Sequence, residues 1–163
     1  MSGDSERKVA TEVLALCRAR NFKIATAESC TGGLVAAALT AIAGSSDVVD
    51  RGFVTYSNAA KSELLAVPAA LLMSHGAVSA EVAAAMADGV LAHAPVELAV
   101  SVTGIAGPGG GSADKPVGLV YFGVARRGSA TGTERKLFAG DRAAIRRAAT
   151  SRALELLDAA ARS

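Results

Sequence analysis

Lys23-Ile24-Ala25-Thr26-Ala27-Glu28-Ser29-Cys30-Thr31-Gly32-Gly33 is the stretch that decides the fold. Lys23 to Ser29 reads as a short strand, and Thr31-Gly32-Gly33 then opens a helical run through Leu34, Ala38 and Ile42 to Gly44. Strand, tight glycine turn and helix together begin an α/β unit. Upstream, Val9, Val13, Leu16 and Cys17 share one face of a helix running from about Ser5 to Arg20, and Asn21 suits a left-handed cap.

Downstream the alternation continues. Phe53-Val54-Thr55-Tyr56 reads as a second strand, after which Ser57 or Asn58 can cap a helix containing Lys61, Leu64 and Leu65. Pro68 starts a short helix ending at Gly76, and Ser79 caps another, with Val82, Met86 and Val90 on one face, that stops near Pro95. Leu98 to Ile105 is the continuous apolar run of a strand buried on both faces, followed by a loop over Gly107 to Ser112. Val117 to Ala125 and Thr133 to Phe138 read as an antiparallel pair joined through Gly128. Asp141 caps a long final helix with Ile145, Ala149, Leu156 and Leu157 facing inward. The pattern predicts a three-layer α/β/α architecture, a mixed, mostly parallel five-stranded sheet with helices on both faces, and residues 1–163 as a single domain.

Composition narrows the partners. The chain has 163 residues, is 51% hydrophobic and only 20% charged, and is rich in alanine, all of which suits a packed core. Seventeen basic against 15 acidic residues leave a net charge of +2, with 4% aromatics, so there is no global field or stacking surface for nucleic acid or a membrane. Anion recognition must therefore be local. The N-terminus does not resemble a secretory signal, no apolar run is long enough to span a bilayer, and Cys17 and Cys30 have no metal-binding spacing. A cytoplasmic protein is expected, and its alanine-rich, apolar helices suggest a homodimer.

Four polar segments fall where strands end: Ala27 to Gly33, Thr55 to Ser57, Thr103 to Gly107, and Gly140 to Arg142. Ligands bind beyond the carboxyl ends of strands in open α/β sheets, so one crevice is expected to gather all four. Ser29 sits at a strand end before helix amides that could hold an oxyanion or a phosphate; Ser29 and Thr31 could equally be simple caps. Cys30 is a rival nucleophile or a buried structural thiol. Lys61 falls in the first turn of a helix near a strand terminus, where the dipole and burial both favour the neutral amine a general base needs. Tyr56 could relay its proton, or the two could be a surface lysine and a core tyrosine. Arg142 opposes the dipole of its own helix, which an anionic partner or full solvation would explain. The Gly107 to Ser112 loop lacks the P-loop spacing.

Taken together, Ala-Glu-Ser-Cys-Thr-Gly-Gly at 27–33, Ile-Ala-Gly-Ser-Ser at 42–46, Arg-Gly-Phe-Val-Thr-Tyr-Ser-Asn at 51–58 with Lys61, His-Gly-Ala-Val-Ser at 75–79 and Thr-Gly-Ile-Ala-Gly-Pro-Gly-Gly-Gly-Ser at 103–112 closely resemble the CinA C-terminal-domain family. Lys115-Pro116-Val117-Gly118 and Gly140-Asp141-Arg142 extend the likeness along nearly the whole chain. The resemblance implies hydrolysis of nicotinamide mononucleotide to nicotinate mononucleotide and ammonia for NAD recycling, with no cofactor and no metal. It places Ser29, Ser46, Tyr56 and Lys61 as catalytic candidates, either serine being the nucleophile. It further places Thr31, Gly32, Gly33, Thr103, Gly104, Gly107 and Arg142 around the substrate, with oxyanion donors among the amides of 31–33 or 103–104. A non-catalytic nucleotide-binding regulator is the alternative; it would keep Arg142 and the loop without needing Lys61.

Overall fold

The computed structural model describes residues 3–163. Its elements run α1 (Gly3–Ala19), β1 (Ile24–Glu28), α2 (Leu34–Thr40), a 3₁₀ turn (Ser45–Asp47), β2 (Val49–Val54), α3 (Asn58–Leu65), α4 (Ala69–His75), α5 (Ala80–His93), β3 (Leu98–Gly104), β4 (Leu119–Arg126), β5 (Gly132–Leu137) and α6 (Arg142–Arg162). The strands form one sheet in the order β2-β1-β3-β4-β5. β1 pairs in parallel with β2 and with β3, whereas β4 is antiparallel to both β3 and β5. Four strands therefore point one way and only β4 opposes them, the mixed, mostly parallel sheet expected from the sequence.

Alternation along the central strands divides the core into two layers. Ile24, Leu98, Val100, Val102, Val120 and Phe122 face α1, α2 and α6 and join Val13, Leu14, Leu39, Ile145 and Leu157. On the other face Ala25, Ala27, Ala99 and Ala125 meet Val82, Met86 and Val90 of α5. Small residues let α5 approach closely: the Ser101 hydroxyl donates to the Ala83 carbonyl at 2.5 Å, and a Cβ at Gly123 would collide with that same carbonyl.

Several boundaries depart from the sequence reading. The strand expected over 53–56 instead begins at Val49 and ends at Val54, because pairing with β1 starts at Val49. β2 lies at the sheet edge and is mostly half-exposed or exposed, so its first half carries little apolar signal. The helix expected to reach Gly44 stops at Thr40, and Gly44 (φ +80°) leads into the 3₁₀ turn. The strand expected from Val117 begins at Leu119. Ser57, Ser79 and Asp141 cap α3, α5 and α6, each accepting from an amide three residues on, and Asn21 takes φ +55° as a left-handed cap.

Candidate active site

The carboxyl ends of the parallel strands β1 and β3, together with the residues that follow β2, open onto one pocket of about 280 Å³. Ser29 and Cys30 follow β1, Tyr56 follows β2, Thr103 to Gly107 end β3, and Arg142 opens α6, so all four polar segments reach this pocket. Strand direction and the crossovers between strands bring together residues that lie more than a hundred positions apart in sequence.

At its floor Lys61 is 1% exposed, and its Nζ lies 3.0 Å from Ser29 Oγ and donates to the Thr55 carbonyl at 2.8 Å. Among the described residues no carboxylate lies within ion-pair distance of this amine. Burial is the main force on its equilibrium and pushes its pKa below the ordinary 10.5, toward the neutral form. A neutral amine donating to Thr55 keeps its lone pair for the Ser29 hydroxyl, which is the arrangement a base–nucleophile pair requires. Ser29 retains 9% exposure at the pocket wall. Neighbouring Cys30 is a poor rival, because burial pushes its thiol up to about 11 and keeps it protonated at neutral pH.

The turn after Ser29 is organised by Glu28, a residue to which the sequence reading assigned no role. Its fully buried carboxylate accepts from the Thr31 hydroxyl at 2.6 Å and from the amides of Gly33, Val35 and Ala36 at 3.2, 2.9 and 3.1 Å. The Ser29 amide is bound to the Val102 carbonyl and that of Gly32 to the Ser29 carbonyl. This corrects one expectation: the amides at Gly32 and Gly33 already have partners inside the protein and are not open oxyanion donors. A glutamate closing the strand, four positions before Gly32-Gly33, was the available signal. From the other side Arg146 donates to the Cys30 carbonyl at 3.0 Å and the Thr31 carbonyl at 3.3 Å.

The remaining candidates divide. Thr103 reaches the pocket, but its hydroxyl donates to the Ala77 carbonyl at 2.9 Å and ties β3 to the loop before α5. Gly104 is demanded by packing, since a Cβ there would stand 2.7 Å from Val120 Cγ2. Arg142 Nη1 donates to the Gly107 carbonyl at 2.8 Å and Nη2 to the Tyr56 hydroxyl at 2.9 Å, which puts Tyr56, 59% exposed, at the mouth and not between Lys61 and Ser29. Ser46 is exposed on the 3₁₀ turn before β2, at the amino ends of the strands. The length of β1, about 16 Å at roughly 3.3 Å per residue, separates it from the Ser29–Lys61 pair. Asn58, Ala77 and Val78 also line the pocket, a place the sequence reading gave to none of them.

The comparisons with known proteins agree with this architecture. The CinA C-terminal domain profile matches residues 6–161. The chain is 53% identical over 146 residues to the nicotinamide-nucleotide amidohydrolase PncC of Enterobacter agglomerans, covering 90% of this chain and 89% of that protein. A CinA-like protein of Anaeromyxobacter dehalogenans is 48% identical over 98% of this chain, which spans 39% of that longer protein. The crystal structure of the competence/damage inducible protein CihA from Agrobacterium tumefaciens superposes with a TM-score of 0.94 at 46% identity, covering 98% of this chain and 96% of that one. By sequence profile, by relatives of half-identical sequence and by fold, the chain belongs to the CinA C-terminal domain family.

Proposed function

We propose that this protein is a nicotinamide-nucleotide amidohydrolase, hydrolysing the carboxamide of nicotinamide mononucleotide to nicotinate mononucleotide and ammonia, as the names of its half-identical relatives indicate. The observation that carries the chemistry is the buried 3.0 Å contact between Lys61 Nζ and Ser29 Oγ. Neutral Lys61 takes the hydroxyl proton as Ser29 Oγ attacks the amide carbon, and the resulting ammonium returns it to the departing nitrogen, releasing ammonia. Water, deprotonated by the same amine, then cleaves the ester and restores Ser29. Direct contact makes a tyrosine relay unnecessary.

For the developing oxyanion we assign the Cys30 amide, on the residue after the nucleophile. The neighbouring Ser29 and Gly32 amides are already bonded within the chain, and Thr31 is fully buried. Arg142 and the Gly107 loop hold the 5′-phosphate, a charge-assisted contact that favours the mononucleotide over free nicotinamide. Among the described residues no group of three or more His, Cys, Asp or Glu side chains gathers as a metal site, and no helix is long and apolar enough to cross a membrane. The reaction suits NAD recycling in the cytoplasm by a homodimer. The test is ammonia release on incubation with nicotinamide mononucleotide: the wild-type protein should turn over and Lys61→Ala should not. Binding without turnover by the wild type would favour a nucleotide-binding regulator instead.

A further inference from the structure

We propose that Tyr56 serves phosphate recognition, by holding Arg142, and takes no part in the proton path. This inference rests on the assignment of Arg142 to the substrate phosphate. Three observations converge on it. Lys61 and Ser29 touch directly at 3.0 Å, so no proton has to pass through a third group. Tyr56 stands at the pocket mouth, more than half exposed as a residue, with its hydroxyl 2.9 Å from Arg142 Nη2. Arg142 has no carboxylate within ion-pair distance among the described residues, so its charge is matched only by the Gly107 carbonyl and the Tyr56 hydroxyl.

The position of that guanidinium gives the arrangement its purpose. Arg142 and Ala106 line both the 280 Å³ pocket and a neighbouring cleft of about 680 Å³ bounded by Pro108, Val117 and the first turn of α6. The side chain therefore stands on the partition between the two spaces, where a phosphate linked through ribose to a pyridine ring at Ser29 would arrive. Of the five N–H groups of a guanidinium two are used, and three remain for phosphate oxygens. An unanchored arginine on an exposed first turn would sample many rotamers. Fixing it by two neutral acceptors removes that freedom before the ligand binds and leaves the positive charge uncancelled. Tyr56 is thus a positioning residue that acts through Arg142.

The test compares nicotinamide mononucleotide with nicotinamide riboside, its phosphate-free analogue, for wild type, Tyr56→Phe, Arg142→Ala and the double variant. Tyr56→Phe should raise KM for the mononucleotide about fivefold while kcat changes less than twofold. The preference for mononucleotide over riboside, as the ratio of kcat/KM values, should fall by the same factor, and the pH profile of kcat should keep its position. In the Arg142→Ala background the same substitution should add nothing to that loss of preference. A hundredfold fall in kcat on both substrates, a displaced pH profile, or a full additional loss in the double variant would overturn the inference. If Arg142→Ala itself weakens both substrates alike, the phosphate assignment fails and this inference with it. If Arg142→Ala discriminates and Tyr56→Phe does not, only the role of Tyr56 falls.

Discussion

The floor and the mouth of the pocket share the same strand ends yet obey opposite electrostatic rules. At the floor, Lys61 is almost fully buried and has no counter-ion among the described residues, so the protein favours an uncharged amine there. At the mouth, Arg142 stays exposed and charged, and its partners are neutral oxygens. In the proposed reaction the first environment serves a base and the second an anion-binding cation. The comparison shows why a lysine belongs inside and an arginine at the rim: only the lysine can surrender its proton at an accessible cost.

Breaking the floor should have the largest effect. Lys61→Met keeps volume and removes the base, so kcat should fall about a thousandfold or more, measured as ammonia release. The same variant should melt at least as high as wild type at neutral pH, because a buried amine without a counter-ion is replaced by an apolar chain. In wild type the folded pKa of Lys61 lies below its unfolded value, so between the two the unfolded chain binds a proton that the folded one lacks. Stability should therefore rise with pH across that window, and kcat/KM should rise as pH climbs through the lowered folded pKa. A melting advantage of Lys61→Met that shrinks toward pH 10 would sharpen the contrast; a pH-independent one would break it.

Next in size is the frame behind the floor. Glu28→Gln puts an amide N–H₂ where one of the chain's own donors must point, and leaves at least one buried N–H without an acceptor. A loss of about 1–3 kcal/mol in unfolding free energy is expected, read from denaturant melts, together with a kcat lowered roughly tenfold by disorder of the Ser29 turn. At the mouth, Arg142→Ala should raise KM for nicotinamide mononucleotide about tenfold and change kcat little, since its contact is made before and during the reaction alike. Smallest of all, Ser46→Ala, on an exposed turn at the opposite end of the sheet, should change turnover by less than twofold.

The same contrast governs what could be read without a structure. The buried strand Leu98 to Gly104, the caps Ser57, Ser79 and Asp141, and the helix faces were legible because burial and capping leave local patterns. The convergence of four strand ends followed from the α/β alternation, and with it the neighbourhood of Ser29, Lys61, Thr103 and Arg142. What escaped depends on three-dimensional pairing. The first half of β2 is an edge segment with little apolar pattern, Glu28 shows its role only once α2 closes over it, and Ser46 lies close to Ser29 in sequence but at the other pole of the sheet. Tyr56 lies five residues before Lys61, yet its hydroxyl points to α6 because Arg142 arrives from a distant part of the chain.

The account turns on Ser29 being the atom donor that carries the acyl group, and one measurement addresses it directly. Wild-type protein mixed with excess nicotinamide mononucleotide and quenched with acid within the first turnovers can be digested and its peptides mapped by fragmentation mass spectrometry. The nicotinate-mononucleotide acyl mass should appear on Ser29 and be absent when Ser29 is replaced by Ala. An acyl mass on Cys30 or Ser46, or undiminished ammonia release by Ser29→Ala, would contradict the account.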